Sequence, residues 1–471
     1  MTIPLSEDEF YRRRDDRTDT VLTDLGEETY YQNAKLLVTA DTDIATTYAG
    51  QVAMLTLGNV LSRFARNVDL QVPAVPLHEQ LRVSQERLPD RLNHEMTAAN
   101  PFGAFNPEQT WSPAEYDAAI ALGTTGTPID PTVHLDVSGW QARITRNAPL
   151  QPFDARKANP IGPAVGACLA VAEVFKIIAQ LSRVHPTNGY TFDAFGLEAL
   201  PPTEQAHRPA LPESVRLGDV HLIGVGSVGS ALLYFLRMLP VHAHFDLVDF
   251  DDIEYANLNR SPIFTAQQAT AKTAKPAAGE EYLAGHVPAT GHHMPYDEFV
   301  DTGQADTPDV VIPVANEHDV RASIQFNRPP VMVHTTTGGS RVYVRRHIPI
   351  VDPCLLCHFP PDDPGFDPEC ATAPVTNTPA TTEDAEQADA ALPFVSVMAG
   401  ALLAGELVKL TLPDYPVTKN FVELDMFSTF AESPLAYDRP CLPGCPFCSS
   451  QSETVHRRLI KKTQFAHLSD N

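Results

Sequence analysis

Residues 219–260 decide how this chain folds, and they read DVHLIGVGSVGSALLYFLRMLPVHAHFDLVDFDDIEYANLNR. A short apolar run leads into three glycines with the spacing G-x-G-x-x-G: Gly224, Gly226 and Gly229. A helical pattern of apolar residues comes next, and a second apolar run, 245–248, ends at Asp249. The order strand, glycine turn, helix, strand and acid is typical of half of a nucleotide-binding α/β unit.

Each part of this unit has a physical task beside a phosphate group. Glycines let the backbone approach a ligand closely, and the N-terminus of a helix favours negative charge. Asp249 lies 20 residues after Gly229, where its carboxylate can accept hydrogen bonds from ribose hydroxyls. The stretch therefore predicts nucleotide binding, and the alternative is a set of glycines that only makes a tight turn. The motif alone does not say which nucleotide binds.

The polar residues that follow narrow the choice. They include Asp251, Asn257, Arg260, Lys272 and Lys275. An enzyme that adenylates a carboxylate must neutralise a triphosphate during attack on the α-phosphorus, and fixed Arg and Lys charges supply that stabilisation. An NAD-dependent dehydrogenase, the alternative for this glycine motif, has no such need. The stretch resembles the ThiF/MoeB and ubiquitin-activating enzyme superfamily, whose hallmark is a D-x-D…NL-x-R…K run after the glycine loop.

The resemblance implies ATP as the cofactor and a role for each residue of the run. Asp249 and Asp251 form the D-x-D pair, and Asp249 holds the ribose. The implied phosphate contacts are Asn257, Arg260 and Lys275, of which Arg260 and Lys275 act in catalysis. Lys272 is the alternative lysine if the alignment shifts. A plain surface charge is the competing interpretation for each of the three cations.

Magnesium is implied as well, but the residue expected to bind it differs from the family pattern. After an apolar strand such as 309–314, the family usually has Asp-Asn, with an Arg five residues after the Asp. Counting back five residues from Arg321 gives Asn316. A neutral amide thus replaces the anionic ligand that Mg²⁺ prefers. Glu317 or Asp319 could compensate, or phosphates and water could hold the ion.

The composition restricts the class of protein. The chain of 471 residues is 43% hydrophobic and 20% charged, which is ordinary for a soluble protein of two to three domains. Because no apolar run reaches 18 residues and the N-terminus is too polar for a signal peptide, we expect no membrane span and a cytoplasmic location. The formal charge of −25 argues against nucleic-acid binding and fits a partner with a basic face.

Two helical segments indicate an internal repeat. They read NPIGPAVGACLAVAEVFKII and LPFVSVMAGALLAGELVKL, and small residues line both. Pro160 precedes Glu173 by 13 residues, and Pro393 precedes Glu406 by 13 residues. A Gly-rich turn and an Arg-bearing strand precede each helix. We interpret this as a diverged repeat, and two unrelated small-residue helices are the alternative.

The two copies differ in length and in the glycine turn. Arg143 precedes Glu173 by 30 residues, whereas Arg341 precedes Glu406 by 65, so the second copy carries about 35 extra residues. This insertion contains three cysteines: Cys354, Cys357 and Cys370. In the first copy the strand 35–39 runs into Ala-Asp-Thr-Asp-Ile, which has no glycine and whose acids would repel phosphate. The first half is therefore predicted to be degenerate and the second to be the working copy.

The predicted fold class is α/β, with two Rossmann-like ThiF-type halves, a cysteine-bearing insertion and a zinc-stapled C-terminal region. Residues 1–199 form the degenerate half, and the proline-rich 200–215 form a linker. Residues 216–449 form the active half, which includes the cysteine segment 358–392, and 450–471 form a tail. The halves are expected to pair as a pseudo-dimer within one chain; further homodimerisation is left open.

Four cysteines predict a metal site. They form two C-x-x-C pairs: Cys354, Cys357, Cys445 and Cys448. In a reducing compartment such pairs indicate metal binding rather than disulfides, and four thiolates suit a closed, tetrahedral, structural Zn²⁺ site. Relatives have the same paired knuckles; free buried thiols are the alternative. Cys441 is expected to be structural or without a role, and Cys168 to pack in the core.

Cys370 stands apart from the other cysteines, in a stretch that is neither helical nor apolar. The resemblance implies a nucleophile on a mobile segment, because relatives place their catalytic cysteine about a dozen residues past the first C-x-x-C. Cys370 lies 13 residues past Cys357. A thiolate there would attack the acyl adenylate and form a thioester. An exposed cysteine without function is the alternative.

The N-terminal 34 residues are polar and rich in arginine. A solvated arm is one interpretation. In the family, an arginine before the first strand reaches into the ATP site of the partner subunit, and Arg17 lies at about the right distance before the strand 35–39. Arg13 and Arg14 are alternatives to Arg17.

Taken together, the resemblance implies an enzyme that adenylates the C-terminal glycine of a ubiquitin-like protein with MgATP. It would then form a thioester on Cys370 and pass the acyl group to a conjugating enzyme. The fused inactive half is most similar to the activating enzyme of bacterial ubiquitin-like (Bil-type) conjugation systems, which are linked to antiphage defence. The alternatives are a sulfur-carrier adenylyltransferase of the thiamin or molybdopterin type, and a nucleotide-binding scaffold that has lost catalysis.

Overall fold

The computed structural model describes residues 3–25, 30–81, 86–107, 115–124, 127–146, 151–153, 157–181, 189–302, 308–315, 318–327, 329–348, 352–358, 392–413, 419–428, 434–445, 447–448, 457–461 and 463–469.

The first half is built on a mixed sheet. Its described strands are β1 (Lys35–Ala40), β2 (Asn67–Gln71), β3 (Ala104–Pro107), β4 (Ala118–Leu122), β5 (Thr132–Ser138), β6 (Gln141–Arg146), β7 (Gly189–Asp193) and β8 (Glu198–Leu200). Their order across the sheet is β3-β2-β1-β4-β5-β6-β7-β8. The five strands from β3 to β5 are parallel, and the pairs from β5 to β8 are antiparallel.

The second half repeats this arrangement. Its described strands are β9 (Val215–Ile223), β10 (Val241–Asp249), β11 (Ala289–His293), β12 (Val310–Pro313), β13 (Met332–Gly338), β14 (Arg341–His347), β15 (Phe421–Asp425) and β16 (Leu435–Tyr437). Their order is β11-β10-β9-β12-β13-β14-β15-β16, again parallel up to β13 and antiparallel beyond it. The predicted fold of two Rossmann-like halves is confirmed, and the matching strand order agrees with an internal repeat.

The register of the two hairpins corrects one detail of the repeat. In β5–β6, Ser138 pairs with Gln141, and in β13–β14, Gly338 pairs with Arg341. The hairpins therefore align Arg341 with Gln141, and the alignment of Arg341 with Arg143 was wrong by two residues. Motif spacing could not reveal this, since a shift of two residues leaves every side chain on the same face of the strand.

Twelve described helices accompany the sheets. They are α1 (Glu7–Leu25), α2 (Thr42–Ala45), α3 (Tyr48–Ser62), α4 (Leu88–Ala99), α5 (Ile161–Ile178), α6 (Ser227–Leu236), α7 (Ala266–Ala271), α8 (Lys275–Leu283), α9 (Tyr296–Asp301), α10 (His318–Phe326), α11 (Leu355–His358) and α12 (Pro393–Leu410). Short 3-10 turns span Tyr30–Asn33, Glu79–Leu81, Tyr255–Asn259 and Ala466–Ser469.

The two repeat helices, α5 and α12, pack against each other between the halves. Phe175 of α5 meets Phe394 of α12 with a centroid separation of 5.3 Å. Small residues of α12 allow close packing: a Cβ at Gly405 would lie 3.3 Å from Ile161 of α5, and one at Gly400 would lie 2.4 Å from Cβ of Ala231 in α6. Both helices are long and apolar enough to span a membrane, but 94% and 100% of their residues are buried inside the protein. Burial between the sheets accounts for their composition.

The N-terminal segment is not a solvated arm. Helix α1 buries Phe10, Tyr11 and Leu22, and it packs against the second half, where the Phe10 ring meets the Tyr255 ring at 6.0 Å. Asn259 donates a hydrogen bond to Thr18 Oγ1 over 2.8 Å. The interpretation as a solvated arm was wrong because α1, besides its arginines, carries apolar residues with helical spacing that form one buried face.

The linker 200–215 is fastened to the first half rather than loose. Trp140 Nε1 donates to the carbonyl of Pro209 over 2.9 Å, and the amide of Gln141 donates to that of Ala206 over 2.9 Å. Arg208 forms an ion pair with Asp193 at 2.8 Å. The proline-rich composition predicted a linker, and these contacts fix its course.

Candidate nucleotide site and metal centre

The glycine turn lies between the end of β9 and the start of α6. Gly224 has a φ of +96°, and a Cβ there would lie 2.9 Å from the amide nitrogen of Ala315, after β12. A Cβ at Gly229 would lie 2.1 Å from the carbonyl oxygen of Gly224, so only glycine lets the helix start this close to the strand. Gly226, in contrast, has no atom of the described residues within 4 Å of where its Cβ would be. Its open face leaves room for a ligand at the helix N-terminus.

Asp249 is the last residue of β10 and contacts the glycine turn. Its carboxylate accepts hydrogen bonds from the backbone N–H of Val225 at 2.6 Å and of Asp251 at 2.9 Å. Burial raises the pKa of Asp249, and the neighbouring Lys275 and these two N–H groups oppose the shift. The acid therefore lies directly beside the glycine turn, as the sequence predicted, and it also holds the shape of that turn.

The two candidate lysines occupy different environments. The Nζ atom of Lys275, at the start of α8, lies 2.5 Å from the carboxylate of Asp251, and the residue is buried. Its backbone N–H donates to the carbonyl of Asp251 over 3.0 Å, which ties α8 to the end of β10. Lys272 is exposed and ends α7 with a φ of +49°. Of the two, Lys275 is the one fixed next to Asp249.

Asn257 and Arg260 lie on a short loop that follows Asp249. Asn257 Oδ1 accepts a hydrogen bond from the backbone N–H of Glu254 over 2.8 Å. The Glu254 side chain accepts one from the backbone N–H of Asn257, so the two residues form a reciprocal cap. The backbone N–H of Arg260 donates to the carbonyl of Asn257 over 3.2 Å. The cap fixes the turn that precedes Arg260, so the Asn-x-x-Arg spacing has a structural reason.

In the first half, an acidic side chain occupies the position that corresponds to the glycine turn. Asp41, directly after β1, accepts the backbone N–H of Thr124 at 2.6 Å and its hydroxyl at 3.1 Å. A Cβ on Gly123 would lie 2.5 Å from the same carboxylate. The carboxylate thus lies where the second half has its glycine turn, and helix α2 follows at once. A phosphate would meet a fixed negative charge here, which agrees with the predicted degenerate copy.

The three candidate arginines of α1 differ in what they contact. Arg13 lies on the exposed face and pairs with Glu9 at 2.6 Å. Arg14 is buried, and its guanidinium donates to the carbonyls of Ser62 and Phe64. Arg17 is half-buried and precedes Thr18, which contacts the second half through Asn259. Its place on α1, beside the loop that carries Arg260, keeps Arg17 as the candidate that reaches the nucleotide site.

Two residues of the first half that sequence reasoning missed contact the same loop. Asn59 and Arg63, at the end of α3, donate to carbonyls of residues 258–264. The available signal was a basic residue at the end of an apolar helix, and it does not show which segment the side chain contacts. Two of the predicted residues, Asn316 and Cys370, lie outside the described residues.

The four cysteines of the two C-x-x-C pairs come together. Their sulfur atoms lie within 4.8 Å of one another, with 3.4 Å between Cys354 and Cys445 and 3.7 Å between Cys357 and Cys448. A tetrahedral site with Zn–S bonds of about 2.3 Å would place sulfurs about 3.8 Å apart, so the set fits Zn²⁺. Hydrogen bonds from Cys354 and Cys357 lower the pKa of the Cys448 thiol, as suits a thiolate ligand. The site joins α11 to the C-terminal region.

We expect the purified protein to contain about one zinc ion per chain, since four thiolates leave no open coordination position. Cys445→Ser should lose the metal after dialysis against a chelator, because three thiolates hold zinc less tightly. Cys441→Ser is the matched control: Cys441 is an exposed cysteine of the same segment and is not part of the cluster. Elemental analysis of both variants decides the prediction. Zinc retained by Cys445→Ser, or lost by Cys441→Ser, would show that the ligand set is different.

With this geometry established, comparisons with known proteins identify the chain. A sequence model described as the ThiF family matches residues 204–443, just over half of the 471 residues. The chain belongs to the ThiF family. A second model, described as the BilD N-terminal domain, matches residues 35–189. The ThiF match thus covers the half with the open glycine turn, and the BilD match covers most of the half in which Asp41 occupies that position.

Individual relatives of this ThiF-family chain are distant. A curated protein from Sinorhizobium fredii, the uncharacterized protein y4jF, is 27% identical over 132 residues, which are 27% of this chain and 24% of that protein. Solved structures that match include E. coli MccB with ATP, at 14% identity and a TM-score of 0.36 over 49% of this chain and 66% of MccB. Another is the microcin C7 biosynthetic enzyme MccB in complex with N-formylated MccA, at 14% identity and a TM-score of 0.36 over 49% of this chain and 67% of that chain.

Proposed function

We propose that this ThiF-family chain activates a ubiquitin-like protein in two steps. A C-terminal glycine carboxylate of the substrate attacks the α-phosphorus of ATP, the bond to the β-phosphate breaks, and pyrophosphate leaves. The thiolate of Cys370 then attacks the acyl carbon of the adenylate, AMP leaves with the C–O bond electrons, and a thioester remains. A conjugating enzyme accepts the acyl group from this thioester.

The observation that carries the proposal is the contrast between the two halves. The second half combines an open face at Gly226, a half-buried acid at Asp249 and a fixed cation at Lys275. The first half presents the Asp41 carboxylate at the equivalent place. One working half and one supporting half within a chain is the arrangement expected of an activating enzyme with a single adenylation site.

The residues of the site have distinct tasks in this proposal. Asp249 accepts the ribose hydroxyls, and the turn formed by Gly224, Gly226 and Gly229 with the N-terminus of α6 lies against the phosphates. Asn257, Arg260 and Lys275 stabilise the charge that develops at the α-phosphorus and on the leaving pyrophosphate, with Arg17 of the first half adding a further cation.

Asn316 is the family-aligned residue that would hold magnesium. The metal supplies charge neutralisation on the pyrophosphate when it is bound. Zinc has no chemical role here and joins segments of the chain. The match to the BilD N-terminal domain favours a Bil-type bacterial conjugation system, with antiphage defence as its purpose and the cytoplasm as its location.

Cys370→Ala tests the second step separately from the first. We expect this variant to keep substrate-dependent ATP–pyrophosphate exchange within about twofold of wild type, since adenylation does not use the thiol, and to form no thioester. The measurements are exchange of labelled pyrophosphate and a reductant-sensitive adduct with the ubiquitin-like protein on a denaturing gel. Cys441→Ala, which removes an exposed cysteine of the described chain, is the control and should form the adduct normally.

Three outcomes would contradict the proposal. A thioester that persists in Cys370→Ala would place the nucleophile elsewhere. Exchange without any thioester in the wild-type protein would instead favour a sulfur-carrier adenylyltransferase, and the absence of both exchange and ATP binding would indicate a scaffold without catalysis.

A further inference from the structure

The loop that carries Arg260 is held by a side chain from the other half of the chain. Arg63 follows the last residue of α3, and its side chain is fully buried. Its Nη1 atom donates to the carbonyl of Leu258 over 2.7 Å, and its Nη2 atom donates to the carbonyl of Pro262 over 2.7 Å. These two carbonyls lie two residues before and two residues after Arg260. One guanidinium therefore fixes both sides of the short segment with Arg260 at its centre.

Other first-half side chains complete this contact. The amide of Asn59 donates to the carbonyl of Pro262 over 3.0 Å, and its oxygen accepts the Nε–H of Arg63 over 2.9 Å. Thr18 of α1 accepts a hydrogen bond from Asn259. The first half thus binds two backbone carbonyls, those of Leu258 and Pro262, and the side chain of Asn259.

A second buried arginine, Arg14, binds backbone carbonyls in the same way, on the far side of Arg63 from the site. Arg14 is also fully buried, and it donates to the carbonyl of Ser62 over 3.1 Å and to that of Phe64 over 2.9 Å. Those carbonyls flank Arg63 on either side, as Leu258 and Pro262 flank Arg260. Arg14 therefore holds the backbone of Arg63, and Arg63 holds the backbone around Arg260.

Stability alone is a poor explanation for a guanidinium at this position. Within the described part of the chain, no carboxylate forms an ion pair with Arg63, and its hydrogen bonds go to carbonyl and amide oxygens. Burial lowers the pKa of Arg63 to about 9, and the group stays protonated at neutral pH. Burying a charge costs free energy that an apolar side chain of similar length would not. The fork geometry of arginine, which can bind two carbonyls at once, is what the position uses.

We propose that Arg63 is a positioning residue for Arg260, so that the degenerate half sets the geometry of the adenylation site in the working half. This inference rests on the proposed function, in which Arg260 stabilises charge on the phosphates. Arg63 does not touch the nucleotide in this account; it restrains the loop so that Arg260 is in place before ATP binds. A displacement of about 1 Å at a reacting group can cost roughly 100-fold in rate.

A double-mutant cycle tests the proposal. Arg63→Met should lower kcat for ATP–pyrophosphate exchange by roughly 10- to 100-fold in the otherwise wild-type protein. In the Arg260→Ala background the same replacement should change kcat by less than about twofold, because the residue through which it acts is gone. A role limited to overall stability would lower activity by the same factor in both backgrounds, and equal factors would overturn the proposal.

Tyr48→Phe provides a matched control. It removes another hydrogen bond between the halves, from the Tyr48 hydroxyl to the carbonyl of Met238 over 2.7 Å, which does not involve residues 258–262. Its kcat should stay within about twofold of wild type. If Arg63→Met does not fold, Asn59→Ala takes its place in the cycle, with a smaller expected loss of about threefold to tenfold.

The same double-mutant cycle can be measured on ATP affinity, determined by calorimetry, which needs no protein substrate. There, Arg63→Met should weaken ATP binding by about threefold in the wild-type background and leave it unchanged in Arg260→Ala. If wild-type exchange fails while this coupling in ATP affinity is present, the proposed substrate is wrong and the positioning role stands. Independent effects of the two replacements on ATP affinity would overturn the positioning role even where exchange is normal.

Discussion

Arg260→Ala is expected to lower substrate-dependent ATP–pyrophosphate exchange by at least about 100-fold and to remove thioester formation with it. The guanidinium is a fixed positive charge on a loop that is already ordered by the Asn257 cap and by the first half. In the proposed reaction, charge that develops on the leaving pyrophosphate would meet this cation without reorganisation, and alanine would not supply it. Since the thioester step consumes the adenylate, both partial reactions are lost together, which distinguishes Arg260 from Cys370.

The matched control for this result is Arg216→Ala. Arg216 is an exposed arginine of β9, close to the amino end of the strand that leads into the glycine turn, so its loss changes the net charge equally. We expect exchange within about twofold of wild type. Arg260→Ala with normal exchange would remove this residue from the site and would leave Lys275 and Arg17 as the cations to be tested.

Lys409→Met is expected to destabilise the folded protein by about 3–5 kcal/mol. The Lys409 ammonium pairs with the Glu406 carboxylate one helical turn earlier in α12, and it donates to the carbonyl of Phe195 in the first half over 3.0 Å. Both side chains of the pair are buried between the halves. Removing the cation leaves Glu406 as a buried charge without its ion-pair partner, and this accounts for most of the cost. Urea denaturation followed by fluorescence measures the change.

Two comparisons separate the effect of charge from that of packing. The double variant Glu406→Gln/Lys409→Met removes both charges and should recover most of the lost stability. The equivalent pair in α5, Glu173 and Lys176 at 2.5 Å, offers Lys176→Met as a test of the same chemistry in the first half. A loss of stability in the double variant as large as in Lys409→Met would mean that the bond to Phe195 matters more than the ion pair.

The parts of the fold that the sequence predicted are those encoded by local patterns. The strand, glycine turn, helix and acid of residues 219–249 lie where the apolar runs and the three glycines predicted them, because the steric need for glycine is a property of the turn itself. The two repeat helices were predicted from small residues with equal spacing. Four cysteines in two pairs predicted the metal cluster, since a C-x-x-C turn brings its own sulfurs together.

The features that the sequence did not reveal depend on contacts between distant segments. Arg63 and Leu258 are separated by 195 residues, and nothing near Arg63 shows that its side chain crosses into the other half. The register of the hairpins depends on which residues pair across the two strands, and motif spacing does not determine that pairing. The resemblance already placed Lys275 ahead of Lys272, and the structure adds the contact of Lys275 with Asp251. The roles of Cys370 and Asn316 stay predictions.

The carboxylate of Asp41 has a consequence for how the enzyme would turn over. A symmetric dimer of two working halves has two equal sites, which can alternate or communicate through their shared interface. This chain has a fixed acid in place of one of them, so ATP should bind with a stoichiometry of about one per chain and along a simple hyperbola, without cooperativity. Each molecule would then handle one substrate at a time, and the first half would be free to diverge as a support as long as it keeps its hold on its neighbour.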